Sequence, residues 1–470
     1  MKIFKLILSV LLIIFTFTSC VLNPFAPENM PKPAETSAKK NNVIPPQNGD
    51  TEDFTDAEDA PTNPAFEQTA TYLQDKDTVY KKGEEIISSE DNVSAIIVKN
   101  GGILDLNDVK IAKNGVSESQ KDTNFFGLNF AVVSNSGSEI SLNNSMINTD
   151  GTGAGGIFTT GIDSIVKIKN TPINTKSDMS AGLSTSFHGK INSQYVTIET
   201  EGANSAGLQT DSTDGFIDFL AGKISTSGAN SPAILSLGRV AVTGSELVSQ
   251  ASSAIIMGEK STVLLTGTTV SGSGDSCIEI GKKSHSNDYK TTAKFNAVGG
   301  KISPASNSLF SVKNVSAEIS LQGVEIGTTA VLLDIKCDEE PLPEQPINVK
   351  FLANSQNIMG DIYCDENSTA EINLTTGTVF NGAINPRNSA KSANLTIDAI
   401  SNWEVSADSY IDCFSDALGT FENIQDNGHT IYYNPEKSKE LKGRTIDLQG
   451  GGKLVPNDAE EEIPALETQE

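Results

Sequence analysis

The sequence GGIFTTGIDSIVKIKNTPINTKSDMS at residues 155–180 is followed at residues 181–207 by AGLSTSFHGKINSQYVTIETEGANSAG, a second copy of the same pattern. Each copy contains short segments of alternating apolar and polar residues separated by Gly, Asn, Asp and Ser, which is typical of β-strands joined by tight turns. Corresponding apolar residues recur every 21 to 26 residues, at Ile157, Leu183, Leu208, Ile234, Ile255 and Ile278. A repeat of this length built from strands predicts a solenoid.

The third segment of each repeat carries two series of equivalent residues. The first series is apolar and comprises Ile147, Ile173, Ile198, Ile224, Leu247 and Val270. The second follows two positions later and mostly carries hydroxyl groups, at Thr149, Thr175, Thr200, Thr226, Ser249 and Gly272. If each repeat is one turn of a parallel β-helix, successive turns lie about 4.8 Å apart and each series stacks as a column. A β-propeller does not fit, because its blades need about 40 residues or more.

The hydroxyl column has two interpretations. Regularly spaced hydroxyl groups on an outer surface could match an ice lattice or a carbohydrate. The favoured interpretation is a hydrogen-bonding ladder at a turn, because most repeats lack the second Thr that such a surface needs.

Composition limits the classes of partner. Aromatic residues make up 6% of the 470 residues, which suits narrow turns filled by Ile, Val and Leu. The formal net charge is −26, and a potential of this sign repels nucleic acid, whose phosphates are bound by cationic side chains. We therefore expect no nucleic-acid partner, whereas a cationic partner or a divalent metal ion is compatible with the charge.

The N-terminus has the features of a bacterial lipoprotein signal. Lys2 and Lys5 precede an apolar core at residues 6–17, and Thr18, Ser19 and Cys20 follow it. We predict a lipoprotein-type signal peptide at residues 1–19 and lipidation of Cys20, with membrane contact through the lipid alone. An ordinary secretion signal with an incidental cysteine is the alternative. Residues 20–70 are rich in Pro and acidic residues without a hydrophobic period, which predicts a disordered tether.

The remaining chain is divided by composition. Residues 71–400 are predicted to form the parallel β-helix, and residues 401–457 its C-terminal coils and cap. The cap is suggested by aromatic residues that the repeats lack, namely Trp403, Phe414, Phe421, Tyr432 and Tyr433. Residues 458–470 read as a disordered acidic tail. The predicted fold class is therefore all-β, a single right-handed parallel β-helix solenoid of roughly a dozen coils with a C-terminal cap, preceded by a disordered tether.

Two cysteines stand in similar local sequences. Cys337 and Cys364 are 27 residues apart, about one repeat, so they are predicted to be neighbours on adjacent coils. In an exported protein they could form a disulfide. The alternative is that both are small buried apolar side chains.

Acidic residues accompany these cysteines. Asp338, Glu339, Asp365 and Glu366 would stack on adjacent coils, where they could bind Ca²⁺ through carboxylate oxygens or act as a catalytic pair in glycoside hydrolysis. A solvated acidic edge is the simpler interpretation. His188, His285 and His429 are scattered and have no zinc-ligand or triad spacing. No cofactor is expected except, in the metal interpretation, Ca²⁺.

Several phrases of the sequence resemble a known family. They are residues 127–131 (GLNFA), 155–158 (GGIF), 227–234 (SGANSPAI), 427–433 (NGHTIYY) and 450–456 (GGGKLVP). They are similar to exported bacterial right-handed parallel β-helix proteins described as adhesin-like or pertactin-like, over about residues 75–456. The resemblance implies the β-helix fold and a surface location, and it implies no catalytic residues.

Three functions are compatible with these observations. The leading hypothesis is a lipid-anchored protein of the bacterial outer membrane or cell surface, a non-catalytic and monomeric adhesive or ligand-binding rod. Its partner would be a host or matrix protein or a glycan. The alternatives are a polysaccharide lyase or glycoside hydrolase acting along the solenoid groove, and a purely structural component of the envelope.

Overall fold

The computed structural model describes residues 67–283, 291–305, 308–338 and 345–457. The predicted signal peptide, Cys20, residues 20–66 of the predicted tether, and the acidic tail lie outside the described residues. His285 and Glu339 do so as well. Within the described residues the regular secondary structure is almost entirely β-strand, and no helix there is long and apolar enough to cross a membrane.

The first half of the described chain forms strands of three to seven residues. In chain order they are β1 (Thr69–Asp75), β2 (Thr78–Lys82), β3 (Glu85–Ser88), β4 (Val93–Lys99), β5 (Ile103–Asn107), β6 (Lys110–Lys113), β7 (Val132–Asn135), β8 (Glu139–Asn143), β9 (Met146–Thr149), β10 (Ile157–Thr160), β11 (Ile165–Lys169), β12 (Ile173–Thr175), β13 (Leu183–Ser186), β14 (Lys190–Gln194), β15 (Thr197–Thr200), β16 (Leu208–Thr210), β17 (Phe216–Leu220), β18 (Lys223–Thr226), β19 (Ile234–Ser236), β20 (Arg239–Thr243), β21 (Glu246–Ser249) and β22 (Ile255–Met257). A single α-helix of this part, α1 (Gln120–Phe126), lies between β6 and β7.

The second half continues in the same way. Its strands are β23 (Thr262–Thr266), β24 (Thr269–Gly272), β25 (Ile278–Gly281), β26 (Thr292–Val298), β27 (Lys301–Pro304), β28 (Ser308–Lys313), β29 (Ser316–Gln322), β30 (Glu325–Ile326), β31 (Val331–Lys336), β32 (Ile347–Asn354), β33 (Asn357–Met359), β34 (Asp361–Cys364), β35 (Ser368–Thr375), β36 (Val379–Asn381), β37 (Ser392–Ile397), β38 (Asn402–Glu404), β39 (Ser409–Ile411), β40 (Cys413–Asp416), β41 (Ile424–Gln425), β42 (Thr430–Tyr433), β43 (Ile446–Asp447) and β44 (Lys453–Pro456). A short 3₁₀-helix spans Lys439–Leu441.

Successive strands enter three long sheets in rotation. The first sheet has 12 strands in the order β1-β4-β7 and onward to β34, the second has 14 from β2 to β40, and the third has 10 from β3 to β30. Two four-stranded sheets complete the C-terminal turns. The predicted single all-β solenoid of parallel strands is confirmed. It has about 15 turns, more than the dozen predicted. The strands begin before the first recognisable repeat of the sequence and continue after the last.

The register of the strands confirms both predicted columns. Ile173 pairs with Ile147 on one side and with Ile198 on the other, and the stack continues to Val270. All members are buried, and each buried aliphatic side chain contributes about 1.5–3 kcal/mol through the hydrophobic effect. The column therefore forms the core of the solenoid.

The first strand lies partly in the segment predicted as tether. β1 begins at Thr69 and pairs in parallel with β4, whereas the predicted boundary was residue 71. The sequence of β1 escapes detection because Leu73 is 46% exposed, so its apolar residues do not all face the core.

An insertion that the sequence shows only as polar contains α1. Ser119 caps the helix by accepting a hydrogen bond from the backbone N–H of Asp122 at 3.2 Å, and Gly127 ends it with a positive φ of 72°. Phe125 and Phe126 are buried beneath the helix. The helix is thus held by its own caps and by an apolar face.

Aromatic side chains fill the last turns. Trp403 is fully buried, its ring stacks parallel to Phe380 with centroids 6.5 Å apart, and Phe414 meets it edge-on. Parallel strands continue beyond residue 400, and the solenoid ends where β43 pairs antiparallel with β44. Because β43 is the last strand of its sheet, it covers the edge of β44.

Gly182 shows how closely the coils approach each other. A Cβ atom at this position would lie 2.4 Å from Ile198 Cγ2 and 2.7 Å from the carbonyl oxygen of Gly207 in the next coil. We expect Gly182→Ala to lower the free energy of unfolding by about 1–3 kcal/mol, because the core must move to admit the methyl group. Urea denaturation followed by circular dichroism measures the loss.

The matched control for Gly182→Ala is Gly244→Asn. Gly244 has a positive φ of 58°, which Asn tolerates, and a Cβ there would meet no atom within 4 Å. Equal losses in the two variants would show that the approach of the coils at Gly182 has no energetic consequence.

Candidate functional site

The predicted acidic cluster is not assembled in the described residues. Asp338 forms an ion pair with Lys313 at 3.1 Å and accepts a hydrogen bond from Asn314 Nδ2 at 3.1 Å, both on the preceding turn. Burial alone would raise the pKa of Asp338, but the hydrogen bonds from Lys313 and Asn314 and the charge of Lys313 hold that pKa below its usual value. The carboxylate of Asp338 is therefore bound to residues of the preceding coil.

Asp365 has a different role. Its carboxylate accepts a hydrogen bond of 2.6 Å from the backbone N–H of Cys337 on the preceding coil. It also accepts one of 2.5 Å from Ser368 Oγ, which closes the local turn. Glu366 is exposed. In the described parts of the chain no group of three or more His, Cys, Asp or Glu residues is placed to hold a metal ion. Ca²⁺ binding at these acids remains a prediction without a described ligand set.

The two cysteines are not direct neighbours across the strands. Cys364 pairs with Ile335, two residues before Cys337, because paired residues of β31 and β34 are 29 positions apart at this point, whereas the two cysteines are 27 apart. Neither cysteine forms a disulfide, and both side chains are buried. Burial raises the pKa of the Cys364 thiol to about 12, with the nearby Asp365 and Asp334 charges adding to the effect. In this arrangement both cysteines pack as small apolar side chains.

The hydroxyl column points into the solenoid. Thr175 Oγ1 donates to the carbonyl oxygen of Ser180, and Thr200 Oγ1 donates to that of Ser205, each at 2.7 Å. Thr226 donates in the same way to Ser231. The interpretation as a hydrogen-bonding ladder at a turn is confirmed, and the alternative of an outward ice-binding or carbohydrate-binding face is wrong, because these side chains are buried.

The described structure brings a different set of residues together, on the outer face of the first sheet. There a cleft, called here the α1 cleft, encloses about 190 Å³. Its wall is helix α1, its rim is formed by the turns before β16 and β19, and its floor is formed by residues within and directly after those strands. The defining residues are Gln120 and Asn124 of the wall, Asn204 and Asn230 of the rim, and Gln209 and Asp211 of the floor.

Helix α1 is attached firmly enough to form a wall. Ser186 Oγ donates a hydrogen bond of 2.7 Å to the carbonyl oxygen of Phe125 at the end of the helix. The ring of Phe187 lies 5.9 Å from that of Phe125 and 6.0 Å from that of Phe126. A small apolar cluster that includes Phe130 and Phe158 packs on the same outer face. The insertion therefore covers part of the first sheet and leaves the cleft beside it.

Repeated turns build the rim. Asn204 and Asn230 both adopt the left-handed conformation, with φ of 52° and 53°, which Asn tolerates better than most residues. The backbone N–H of Asn204 donates to the carbonyl oxygen of Ala229, so the two turns stack one above the other. Their exposed amide side chains form no hydrogen bond with the described residues and line the cleft.

Asp211 is the titratable residue on the floor of the cleft. It is 6% exposed, and it accepts hydrogen bonds from Gln209 Nε2 at 2.8 Å and from Ser184 Oγ at 3.0 Å. Burial raises the pKa of Asp211 to about 7, although these two hydrogen bonds counteract the increase. The carboxyl group is therefore divided between its neutral and ionised forms near neutral pH.

Sequence reasoning missed this site. The first sheet carries Thr160 and Ser186 in register with each other, and the next coil places Asp211 after the strand instead of a small hydroxyl residue. This position varies between coils, with Asn135 before Thr160 and Leu237 after Asp211, so the repeat gave no signal for the floor. The wall was hidden because the helix lies in an insertion about 85 residues away from Asp211 in the chain.

Comparison of the chain with protein-family models, with curated proteins and with solved structures finds no match. Among the described residues, the α1 cleft combines a concave shape, polar groups and a carboxyl group of raised pKa, which are features of ligand-binding sites.

Proposed function

We propose that this protein is a lipid-anchored component of the bacterial cell envelope that binds a ligand in the α1 cleft without transforming it. The observation that carries the binding function is the cleft itself, where an insertion and stacked turns converge on a buried polar floor. The lipid anchor is supported by the sequence around Cys20. A tether between the lipid at Cys20 and the solenoid would hold the solenoid away from the membrane surface.

Catalysis is less well supported by the cleft. Glycoside hydrolysis generally uses two carboxyl groups about 5–9.5 Å apart. Among the described residues that line the α1 cleft, Asp211 is the single carboxylic acid. The acids considered from the sequence, Asp338 and Asp365, are each engaged with other partners. Binding without reaction is the function that this arrangement favours.

The anchor is tested by metabolic labelling in a bacterial host with an alkyne analogue of palmitate. We expect label on the wild-type chain and loss of label in Cys20→Ala, because the thiol of Cys20 is the predicted acylation site. Cys413→Ala is the matched control and should keep its label, since Cys413 lies in β40. Absence of label from the wild-type protein, or its persistence in Cys20→Ala, would remove the anchor from the proposal.

The ligand-binding function is tested with the full chain on arrays of matrix proteins and glycans. Reproducible, saturable binding to any class of probe is the expected result. Silence across both arrays would contradict a binding function and favour the purely structural alternative.

A further inference from the structure

We infer that the α1 cleft binds a neutral, hydroxyl-rich group, namely a single uncharged sugar residue of a glycan. This inference rests on the proposed ligand-binding function and adds the chemical class of the ligand and the residues that recognise it. It follows from the hydrogen-bonding capacity, charge, surface and size of the cleft.

Two oxygen atoms on the floor of the cleft can each accept a further hydrogen bond. Gln209 is 8% exposed and donates to both oxygens of Asp211 from Nε2, at 2.8 Å and 3.0 Å, while its own carbonyl oxygen receives no hydrogen bond from the described residues. Oδ2 of Asp211 also accepts from Ser184, so Oδ1 has one contact and retains capacity for another. An occupant that supplies hydroxyl donors would satisfy both groups, and buried polar groups are normally satisfied.

The protonation state of Asp211 further limits the charge that a ligand of the cleft can carry. Its carboxyl group accepts hydrogen bonds when ionised and donates one when protonated, and a hydroxyl group complements both forms. An anionic ligand would meet the negative form of Asp211 on the floor. A cationic ligand gains little, because burial disfavours that negative form of Asp211. Lys283 of the lining is already paired, since its Nζ lies 3.2 Å from Glu279 Oε1. A neutral hydroxyl group is the chemistry that suits the floor in either state.

The remaining surface suits the two faces of a sugar. Apolar side chains of Pro232, Leu235 and Leu237 line one part of the cleft and offer contact to C–H groups. The amide side chains of Asn204 and Asn230 at the rim each provide donors and an acceptor for ring hydroxyl groups. The volume of about 190 Å³ is below the roughly 300–1,000 Å³ of pockets for drug-sized ligands, so the cleft takes one sugar residue.

The test measures binding of the full chain to oligosaccharides ending in glucose, galactose or mannose, and to counterparts ending in glucuronate or glucosamine. We expect binding to at least one neutral probe, weaker by about tenfold or more for its charged counterparts. Asp211→Asn should weaken that binding by about tenfold, because it changes the donors and acceptors of the floor with little change of shape. Leu235→Trp, which fills the cleft, should abolish it.

Leu352→Trp is the matched control. Leu352 is 37% exposed on the outer side of the second sheet, away from the cleft, so its replacement should leave binding unchanged. Circular dichroism and unfolding curves show whether each variant is folded. If Leu235→Trp fails to fold, Asp211→Asn, which conserves shape, carries the test.

The outcomes separate this inference from the function on which it depends. Neutral-sugar binding that survives both cleft variants, or a preference for glucuronate or glucosamine probes, overturns the inference while ligand binding stands. Binding to matrix proteins without binding to any sugar has the same consequence. Absence of binding to all probes overturns both.

Discussion

Trp403→Ala is expected to lower the free energy of unfolding by about 3–5 kcal/mol, the usual cost of truncating a fully buried large aromatic side chain. Trp403 is 0% exposed, lies between Phe380 and Phe414, and donates a hydrogen bond of 2.8 Å from Nε1 to the carbonyl oxygen of Gly382. The substitution opens a cavity and also leaves that carbonyl oxygen without its buried donor.

Urea denaturation followed by circular dichroism measures this effect, with Tyr80→Ala as the control. Tyr80 is 60% exposed, so its removal should change stability by less than about 0.5 kcal/mol. In the wild-type chain Trp403 is the only tryptophan, and its fluorescence reports unfolding of the C-terminal turns. A loss below about 1 kcal/mol in Trp403→Ala would contradict the packing described for these turns.

Since each coil contacts mainly its neighbours, the effect of Trp403→Ala should begin at the C-terminal end. In a solenoid, stability is approximately a sum of the coils and the interfaces between them. We therefore expect a broader transition in the variant, with the C-terminal turns unfolding at lower urea than the rest. A single sharp transition at an unchanged midpoint would argue against this local character.

Between about pH 5 and about pH 8, Asp211→Asn is expected to gain roughly 2–3 kcal/mol of stability relative to the wild type. The folded pKa of Asp211 is raised from 3.8 to about 7 by burial. Between these two values the folded state binds the proton and the unfolded state releases it. The wild-type stability from this group is therefore fully present below about pH 4 and is lost as the pH rises through about 7.

The asparagine variant lacks this dependence because its side chain does not titrate. Urea denaturation at several values between about pH 5 and about pH 8 measures the difference between variant and wild type. Asp163→Asn, at an exposed position with a positive φ of 63°, serves as control and should follow the wild-type profile. Parallel profiles for wild type and Asp211→Asn would contradict the buried setting described for Asp211.

Other groups with shifted pKa values are common to the wild type and the variant, so their contributions cancel in the comparison. Asp338, Asp398 and Asp426 have pKa values below the usual one, because hydrogen bonds outweigh the opposing effect of burial, and their contributions are lost only in more acidic solution. Burial lowers the pKa of Lys113 to about 8, although Asp91 opposes this, so its contribution to stability increases above about pH 8. Comparison of the variant with the wild type within the window isolates Asp211.

Where the repeat is regular, the sequence predicts which side chains stack on adjacent coils. Where the length of the coils varies, it does not. The stacking of Ile173 on Ile198 follows from a spacing of one repeat, since each coil must place the same side chain in the same narrow interior. The pairing of Cys337 with Cys364 followed from the same reasoning and was wrong in register. The coil between β31 and β34 places residues 29 positions apart in register, two more than the spacing of the cysteines.

The sequence by itself determined the parallel β-solenoid, its hydrophobic column and its hydroxyl ladder, because stacking about 4.8 Å apart imposes a repeat that can be read directly. It also carries the export and lipidation signals, which remain predictions. The α1 cleft was decided by tertiary structure alone. Gln120 belongs to an insertion and Asp211 to a later coil, and they line one cavity only because the helix folds back over the first sheet. Such a contact depends on packing between segments distant in the chain, and the repeat contains no information about it.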